Sequence, residues 1–171
     1  GLPPHLTLGT NKLAASFGSL TASVTYFRKK LFNPRFWAAS IMATAIGALL
    51  GTLIVDYLSI DFLNKLLPIV IILVACYSLF GSLSTTEHNE LPKLDAKTKL
   101  KQWIQGLGLG FFDGLAGPGT GTFWTASNSL LYKMSLLLNC GLARSMNFVS
   151  NFISLITFVA LGHVNFLLGI T

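Results

Sequence analysis

Long uncharged stretches alternate with short polar loops along this chain of 171 residues. Residues 37–55, 66–84 and 145–171 contain no Asp, Glu, Lys or Arg. Each stretch is close to or above the roughly 20 residues that a helix needs to cross the hydrocarbon of a bilayer. The pattern predicts five hydrophobic helical segments and the start of a sixth, at residues 6–27, 36–58, 62–83, 103–131, 142–162 and 164–171.

The fourth of these segments is interrupted. Between Gln102 and Tyr132 the single charged residue is Asp113, and it precedes a run, Gly114 to Thr122, with four glycines and a proline. A regular helix does not continue through such a run. Irregular backbone at membrane depth persists only where it is buried in protein or lines a polar cavity. We therefore expect a broken helix beside a carboxylate, in a segment that either spans once or dips and returns.

Composition agrees with a membrane protein. Hydrophobic residues make up 52% of the chain, charged residues 11%, and the mean hydropathy is +0.64. These values exclude an ordinary soluble domain and predict an all-α, polytopic transmembrane helix bundle in contact with the lipid bilayer. Cys76 and Cys140 lie in apolar surroundings without metal-ligand spacing. We expect no bound metal and no cofactor.

The net charge of +6 is placed in loops. The loops at residues 28–35 and 84–102 are basic, whereas the loop at 56–61 has two acids and no base. This alternation is the positive-inside pattern, so it needs no nucleic-acid partner and places both basic loops in the cytoplasm. The second loop is predicted to be a polar linker between a first transmembrane half, residues 1–83, and a second half, residues 103–171.

The two halves echo each other weakly. With an offset of 133 residues, a basic, amide-bearing helix start followed by a Ser-rich apolar helix recurs. Internal repeats with a binding site at their interface are a common plan among transporters. The bundle is therefore predicted to consist of two repeated halves.

Two predicted helices carry polar stripes at helical spacing. Polar faces on membrane helices turn toward partner helices or a watered cavity. Bonding between helices accounts well for the serines, whereas two asparagines one turn apart fit either that role or a substrate path. The stripes are Lys12, Ser16, Ser19, Ser23 and Tyr26 in the first segment and Asn147, Ser150, Asn151 and Ser154 in the fifth.

Lys12 and Asp113 each allow two interpretations. Lys12 either extends to the membrane surface or forms, with Thr10 and Asn11, the rim of an anion site at a helix N-terminus. Asp113 either stabilises the glycine-rich turn or acts as a proton-coupling or gating group, since carboxylates at membrane depth usually mark ion pathways. The interior suggests no clear partner for it.

The glycine-rich loop lacks the spacing of nucleotide-binding motifs, and no Walker lysine follows it. Its free backbone N–H groups and threonine hydroxyls, including Thr122, instead suit a small oxyanion. The predicted substrate-binding residues are Thr10, Asn11, Lys12, Gly117, Gly119, Thr120, Gly121, Asn147 and Asn151, with Asp113 as the coupling residue.

Three motifs resemble those of the sulfite exporter TauE/SafE family. They are Leu2-Pro3-Pro4-His5 followed by Gly9-Thr10-Asn11-Lys12-Leu13, then Gly110-Phe111-Phe112-Asp113-Gly114 running into the glycine loop, then Arg144 to Asn147 with Asn151. The resemblance implies two repeated halves and ion-coupled movement of small sulfur-containing or carboxylate anions. It also implies that the chain lacks the family's first helix and its last helices. Where the family often has Lys, this chain has Arg144-Ser145.

Together these features predict a multi-pass transporter of the bacterial inner membrane, most simply an exporter of sulfite, a sulfonate or a related organic acid. Its partners are a small anion and a proton or sodium ion, and a homo-oligomer is compatible with it. We expect no enzyme, because acid–base chemistry normally needs two positioned titratable groups. The alternatives are a membrane-embedded enzyme or a scaffold protein, and a scaffold would need no broken helix.

Overall fold

The structure is a computed structural model that describes residues 4–65, 68, 69, 72, 76 and 90–165. These residues form an all-helical bundle without strands, which confirms the predicted fold class. The five long helices are α1 (Pro4–Arg28), α2 (Ala38–Tyr57), α3 (Ala96–Leu115), α4 (Thr120–Tyr132) and α5 (Leu136–Ala160). Residues 60–65 are also helical. Most of the predicted segment 62–83, and the segment 164–171 beyond Asn165, lie outside the described residues.

Two of the described helices, α2 and α5, are long and apolar enough to cross a membrane. The bounds of α2 agree closely with the predicted segment 36–58. The predicted starts of the fourth and fifth segments were too late: α3 begins at Ala96, inside the predicted linker, rather than at residue 103, and α5 begins at Leu136 rather than at residue 142. Hydropathy alone does not detect the polar first turn of α3, whereas α5 opens on three leucines, Leu136 to Leu138, that the predicted segment left out.

Helix caps explain the early start of α3. The carboxylate of Asp95 accepts a hydrogen bond from the backbone N–H of Thr98 at 2.7 Å, which satisfies one of the free donors at a helix N-terminus. The same hydrogen bond lowers the pKa of Asp95. The cap therefore contributes fully above the usual aspartate range and is lost as the pH falls through the lowered pKa.

Helices α2 and α3 run parallel and in close contact. Gly106, Gly110 and Gly114 of α3 form a small-residue face at a spacing of four, and a Cβ atom on Gly110 would lie only 2.4 Å from the carbonyl oxygen of Thr44. Gly47 of α2 is equally close to α3. Small residues at this spacing let two membrane helices approach closely. The three glycines of this α3 face therefore serve the packing of α3 against α2 and are not part of a ligand-binding loop.

The predicted fourth segment is an antiparallel hairpin of α3 and α4. The Gln105 side-chain amide donates to Asn128 Oδ1 at 2.7 Å, and the Lys101 ammonium donates to the carbonyl of Leu131 at 3.1 Å. The rings of Phe112 and Phe123 pack edge to face, closer to the glycine-rich break than the two hydrogen bonds are. The segment dips into the bundle and returns to the same end, which decides between the two interpretations left open by the sequence.

The tip of the hairpin lies inside the bundle rather than at its edge. Thr52 Oγ1 of α2 lies 3.4 Å from the carbonyl oxygen of Gly114, near the end of α3. Helix α2 continues to Tyr57, and at 1.5 Å per residue this adds roughly 8 Å beyond the tip. The chain therefore reverses at an internal level.

Helices α1 and α5 pack antiparallel. Ser23 near the end of α1 bonds Ser145 near the start of α5 at 3.2 Å, whereas Lys12 near the start of α1 reaches Asn151 further along α5. Both helices have 25 residues. Two helices of equal length that run in opposite directions fit an inverted repeat. The two repeated halves and the domain limits drawn from the sequence stay predictions.

Two apolar clusters lie at opposite ends of the bundle. One surrounds Trp37, Trp124 and Met146, close to the basic loops that precede α2 and α3; we call this the basic end. The other contains Val55 and Phe158, close to the acidic loop at residues 56–61; we call this the acidic end. Between these clusters lies a layer of buried polar side chains, and that layer contains the candidate site.

Candidate functional site

The break between α3 and α4 depends on two glycines in the left-handed region, Gly117 with φ +80° and Gly119 with φ +82°. The hydroxyl of Thr120 donates to the carbonyl of Gly117 at 2.8 Å, and that of Thr122 donates to Gly119 at 2.7 Å. The threonine hydroxyl hydrogens therefore stabilise the loop itself. Among the described residues no side chain caps α4, and the backbone N–H groups of its first turn donate to the carbonyls of Gly117 and Gly119. The positive end of its dipole therefore borders the break.

A buried ion pair lies against this break. The ammonium of Lys12 is 2.8 Å from Asp113 Oδ1, 2.7 Å from the backbone carbonyl oxygen of Asp113 and 2.9 Å from Asn151 Oδ1. The side chains of Lys12 and Asp113 are 2% and 1% exposed. An ammonium has three N–H donors, and in this arrangement each has an acceptor.

The second carboxylate oxygen of Asp113 accepts a hydrogen bond from the hydroxyl of Ser150. The loop covers the pair from the other side, because a Cβ atom on Gly117 would lie 3.3 Å from Lys12 Nζ. Next to the pair, the hydroxyls of Thr52 and Ser154 are 2.9 Å apart. Four helices and the break therefore meet at one point.

Burial at this site favours a pair whose two charges cancel. Two opposite charges removed from water persist only with close geometry and additional hydrogen bonds, and losing either partner leaves a costly unpaired charge. Lys12 also contacts a carbonyl in the last turn of α3, where a cation is stabilised by the helix dipole. The site can hold one positive and one negative group, and it discriminates strongly against any change in net charge.

The structure brings Lys12, Asp113, Asn151 and Gly117 together from the predicted set. Gly119, Thr120 and Gly121 form the adjoining loop and the first turn of α4. The interpretation that Lys12 extends to the membrane surface was wrong, because its side chain faces inward. Asp113 has a partner that the sequence did not suggest.

Three predicted site residues lie outside this cluster. Thr10 Oγ1 accepts a hydrogen bond from the backbone N–H of Asn165 at 3.1 Å, toward the acidic end. Asn11 is exposed, and Asn147 is half-buried on α5. Their role in substrate binding stays a prediction without a contact to the ion pair.

A second polar cluster was missed by the sequence analysis. Gln105 donates to Asn128 and accepts from the hydroxyl of Tyr132 at 3.0 Å, while the Asn139 amide donates to Ser129 at 2.8 Å. Amides inside apolar segments were the available signal. This cluster joins both limbs of the hairpin to α5 near the basic end. Within the described ranges no group of three or more His, Cys, Asp or Glu side chains could hold a metal ion.

The fold and the site therefore define a class of protein: a helical membrane bundle with an internal chain reversal and a buried charge pair. The chain belongs to the sulfite exporter TauE/SafE family, whose sequence model matches residues 1–171. This match confirms the resemblance carried by the three motifs.

The chain is similar to proteins named as membrane transporters. It is 34% identical to a "Probable membrane transporter protein" of Haemophilus influenzae, over 99% of this chain and 65% of the relative. It is 30% identical to "Probable membrane transporter protein YfcA" of Escherichia coli strain K12, over 96% of the chain and 60% of the relative. The chain thus spans less than two thirds of the length of these relatives. No solved structure gives a significant match.

Proposed function

We propose that this chain belongs to an integral membrane carrier that moves a small anion, and that the buried Lys12–Asp113 pair at the helix break is the centre of its site. This pair is the observation that carries the proposal, since ionisable residues inside a membrane protein usually mark substrate or ion pathways.

An anion is the substrate class best supported by the groups present. Lys12 supplies a positive charge, and the start of α4, which no described side chain caps, supplies the positive end of a helix dipole. The family description names sulfite export. Sulfite, a sulfonate or a related small organic acid, moved outward, is therefore the proposed cargo.

Asp113 is the proposed coupling residue. Among the described residues it is the acidic side chain that is buried inside the bundle, and a carboxylate there can take up a proton or attract a sodium ion. The proposed location is the bacterial plasma membrane with several crossings and with the basic end in the cytoplasm. The relatives named above come from bacteria.

The test is a flux assay of the full-length protein that contains this chain, reconstituted into liposomes and offered sulfite, methanesulfonate or acetate across a pH gradient. The wild type is expected to move at least one of these anions, and Asp113→Asn is expected to abolish or uncouple the movement at normal expression. Asp56→Asn, which alters a carboxylate near the acidic end, is the matched control. Unchanged pH-dependent flux in Asp113→Asn would exclude the coupling role.

A scaffold protein is the competing class, and a second variant separates it from a carrier. Replacing Gly119 by Leu forces a side chain into a left-handed position at the break and should stop flux. A scaffold whose function is assembly would retain that function in this variant if the protein still folds.

A further inference from the structure

We infer that the transported anion replaces the Asp113 carboxylate as the ionic partner of Lys12, and that Asp113 carries one proton whenever the anion is bound. This inference rests on the proposed function and deepens it. It defines the cargo as a small oxyanion with one negative charge, moved together with one proton.

The ammonium of Lys12 has no N–H donor left for an entering anion. All three N–H groups of Lys12 are engaged, by the Asp113 carboxylate, the Asp113 carbonyl and Asn151. An entering anion must therefore displace an existing acceptor. The carbonyl is fixed in a helix and the Asn151 amide is neutral, so the negatively charged Oδ1 of Asp113 is the acceptor that an anion can replace like for like.

The second step concerns charge. With an anion on Lys12 and Asp113 still ionised, two negative groups would face one ammonium in a site whose side chains are 2% and 1% exposed. Uncompensated buried charge is strongly disfavoured. A proton taken from the aqueous phase onto Oδ1 of Asp113 restores neutrality. Lys12 keeps its own proton throughout, and Ser150 keeps its hydrogen bond to the other carboxylate oxygen.

The surroundings of Asp113 support this exchange. From α1 it is faced by Lys12, from α5 by the neutral hydroxyl of Ser150, and from the loop by Gly117. The neutral amide of Asn151 on α5 contacts Lys12. On α2, Thr52 Oγ1 lies 3.4 Å from the carbonyl oxygen of Gly114, the residue that follows Asp113. Among the described residues Lys12 is thus the charged group in contact with Asp113. At the acidic end, His163 contacts both Asp56 and His5.

Two neutral states follow from this scheme. One is the empty site with Lys12 paired to ionised Asp113, and the other is the loaded site with Lys12 paired to the anion and Asp113 protonated. States with only a proton or only an anion carry net charge within the bundle. If neutral states alone change access between the two sides, anion and proton move together.

The Asp113→Asn variant separates this scheme from simpler ones. Its loaded site is neutral, but its empty site contains an unpaired ammonium and should not return. We therefore expect the variant to exchange internal for external anion while failing to give net transport. Lys12→Gln removes the anion's partner and should lose both modes.

The experiment uses the full-length protein in liposomes with labelled methanesulfonate or acetate, which carry one charge each, and measures exchange and net uptake separately. In the wild type we expect one proton per anion and a rate that does not respond to a potassium–valinomycin potential. In Asp113→Asn we expect near wild-type exchange and net flux lower by about two to three orders of magnitude, the scale of an uncompensated buried charge. Asp56→Asn should keep both modes.

The outcomes are distinguishable. Absence of flux for every probe in the wild type would refute the proposed function and this inference together. Flux that responds to the imposed potential, or Asp113→Asn protein that still gives proton-driven net uptake, would refute the inference while leaving a carrier. Loss of exchange in folded Asp113→Asn, judged by size-exclusion profile, would also refute it. The wild-type proton ratio and voltage response require no variant, so they decide the question if the variant does not fold.

Discussion

Two close pairs of titratable side chains, of nearly equal length, differ in where they lie. Lys12 and Asp113 are 2.8 Å apart with side chains 2% and 1% exposed, whereas His163 and Asp56 are 2.7 Å apart with side chains 32% and 26% exposed. In the first pair neither charge can be solvated alone. In the second pair water can solvate either group. Separation between charges therefore says little about function until burial is known.

The neighbours of the two pairs sharpen the contrast. The buried pair is enclosed by hydrogen bonds from α3 and α5 and by the glycine loop. At the acidic end, the ring of His5 stacks on His163 at 5.4 Å and its Nε2 lies 2.9 Å from the carbonyl oxygen of Val55. This outer cluster joins the start of α1 to the end of α2 and to the chain after α5. Its role is to hold three chain ends together.

The largest expected effect is the removal of one buried partner. Lys12→Met leaves the Asp113 carboxylate buried without a counter charge, so we expect a loss of about 3–5 kcal/mol in unfolding free energy. Adding Asp113→Asn to it should restore a large part, because no charge then remains. Melting or denaturant titration in detergent, arranged as a double-mutant cycle, measures the coupling. Equal losses in the single and double variants would contradict a strong buried pair.

An intermediate effect is expected from the loop that covers the pair. Gly117→Ala places a Cβ atom at φ +80° and 3.3 Å from Lys12 Nζ, and a left-handed L-residue costs about 1–2 kcal/mol. The control is Gly108→Ala, since a Cβ atom on Gly108 meets nothing within 4 Å. This control lies within a helix and should be neutral or slightly stabilising. Similar melting temperatures for the two variants would contradict the strained role of Gly117.

The smallest effect is expected at the half-buried pair of Asp56 and His163. Asp56→Asn should cost about 0–1 kcal/mol, as is usual for accessible ion pairs, and the loss should shrink as salt is raised. Salt screens exposed charges far more than buried ones. The Lys12→Met loss should therefore stay constant over the same salt series. Melting temperatures of both variants at low and high salt give the comparison, and a parallel response would remove the distinction between the two pairs.

Hydropathy was sufficient for some elements and not for others. Helix α2 was predicted nearly to the residue because it is apolar throughout and begins after a polar turn. The start of α3 was missed because its first turn is polar and depends on the hydrogen bond from the backbone N–H of Thr98 to Asp95. The start of α5 was missed because the predicted segment begins after Asn139, although three leucines precede that residue in the helix.

The candidate site divides in the same way. Lys12, Asp113 and Asn151 could be selected one by one, because each is a polar group in an apolar stretch. Their grouping could not be predicted, since Lys12 and Asp113 are 101 residues apart in the chain. From the sequence, Ser150 was assigned only a general role in bonding between helices. Its hydrogen bond to Asp113 depends on how α5 packs against the hairpin.

The sequence by itself determined that the chain is a helical membrane bundle and that a helix must stop at the glycine run. Both follow from local properties, namely the cost of exposing polar backbone to hydrocarbon and the stereochemistry of glycine and proline. The tertiary structure alone decided that the chain turns back after the break and that Lys12 faces Asp113. These are choices among distant partners, and they are made by close helix packing and by the need of a buried charge for an opposite one.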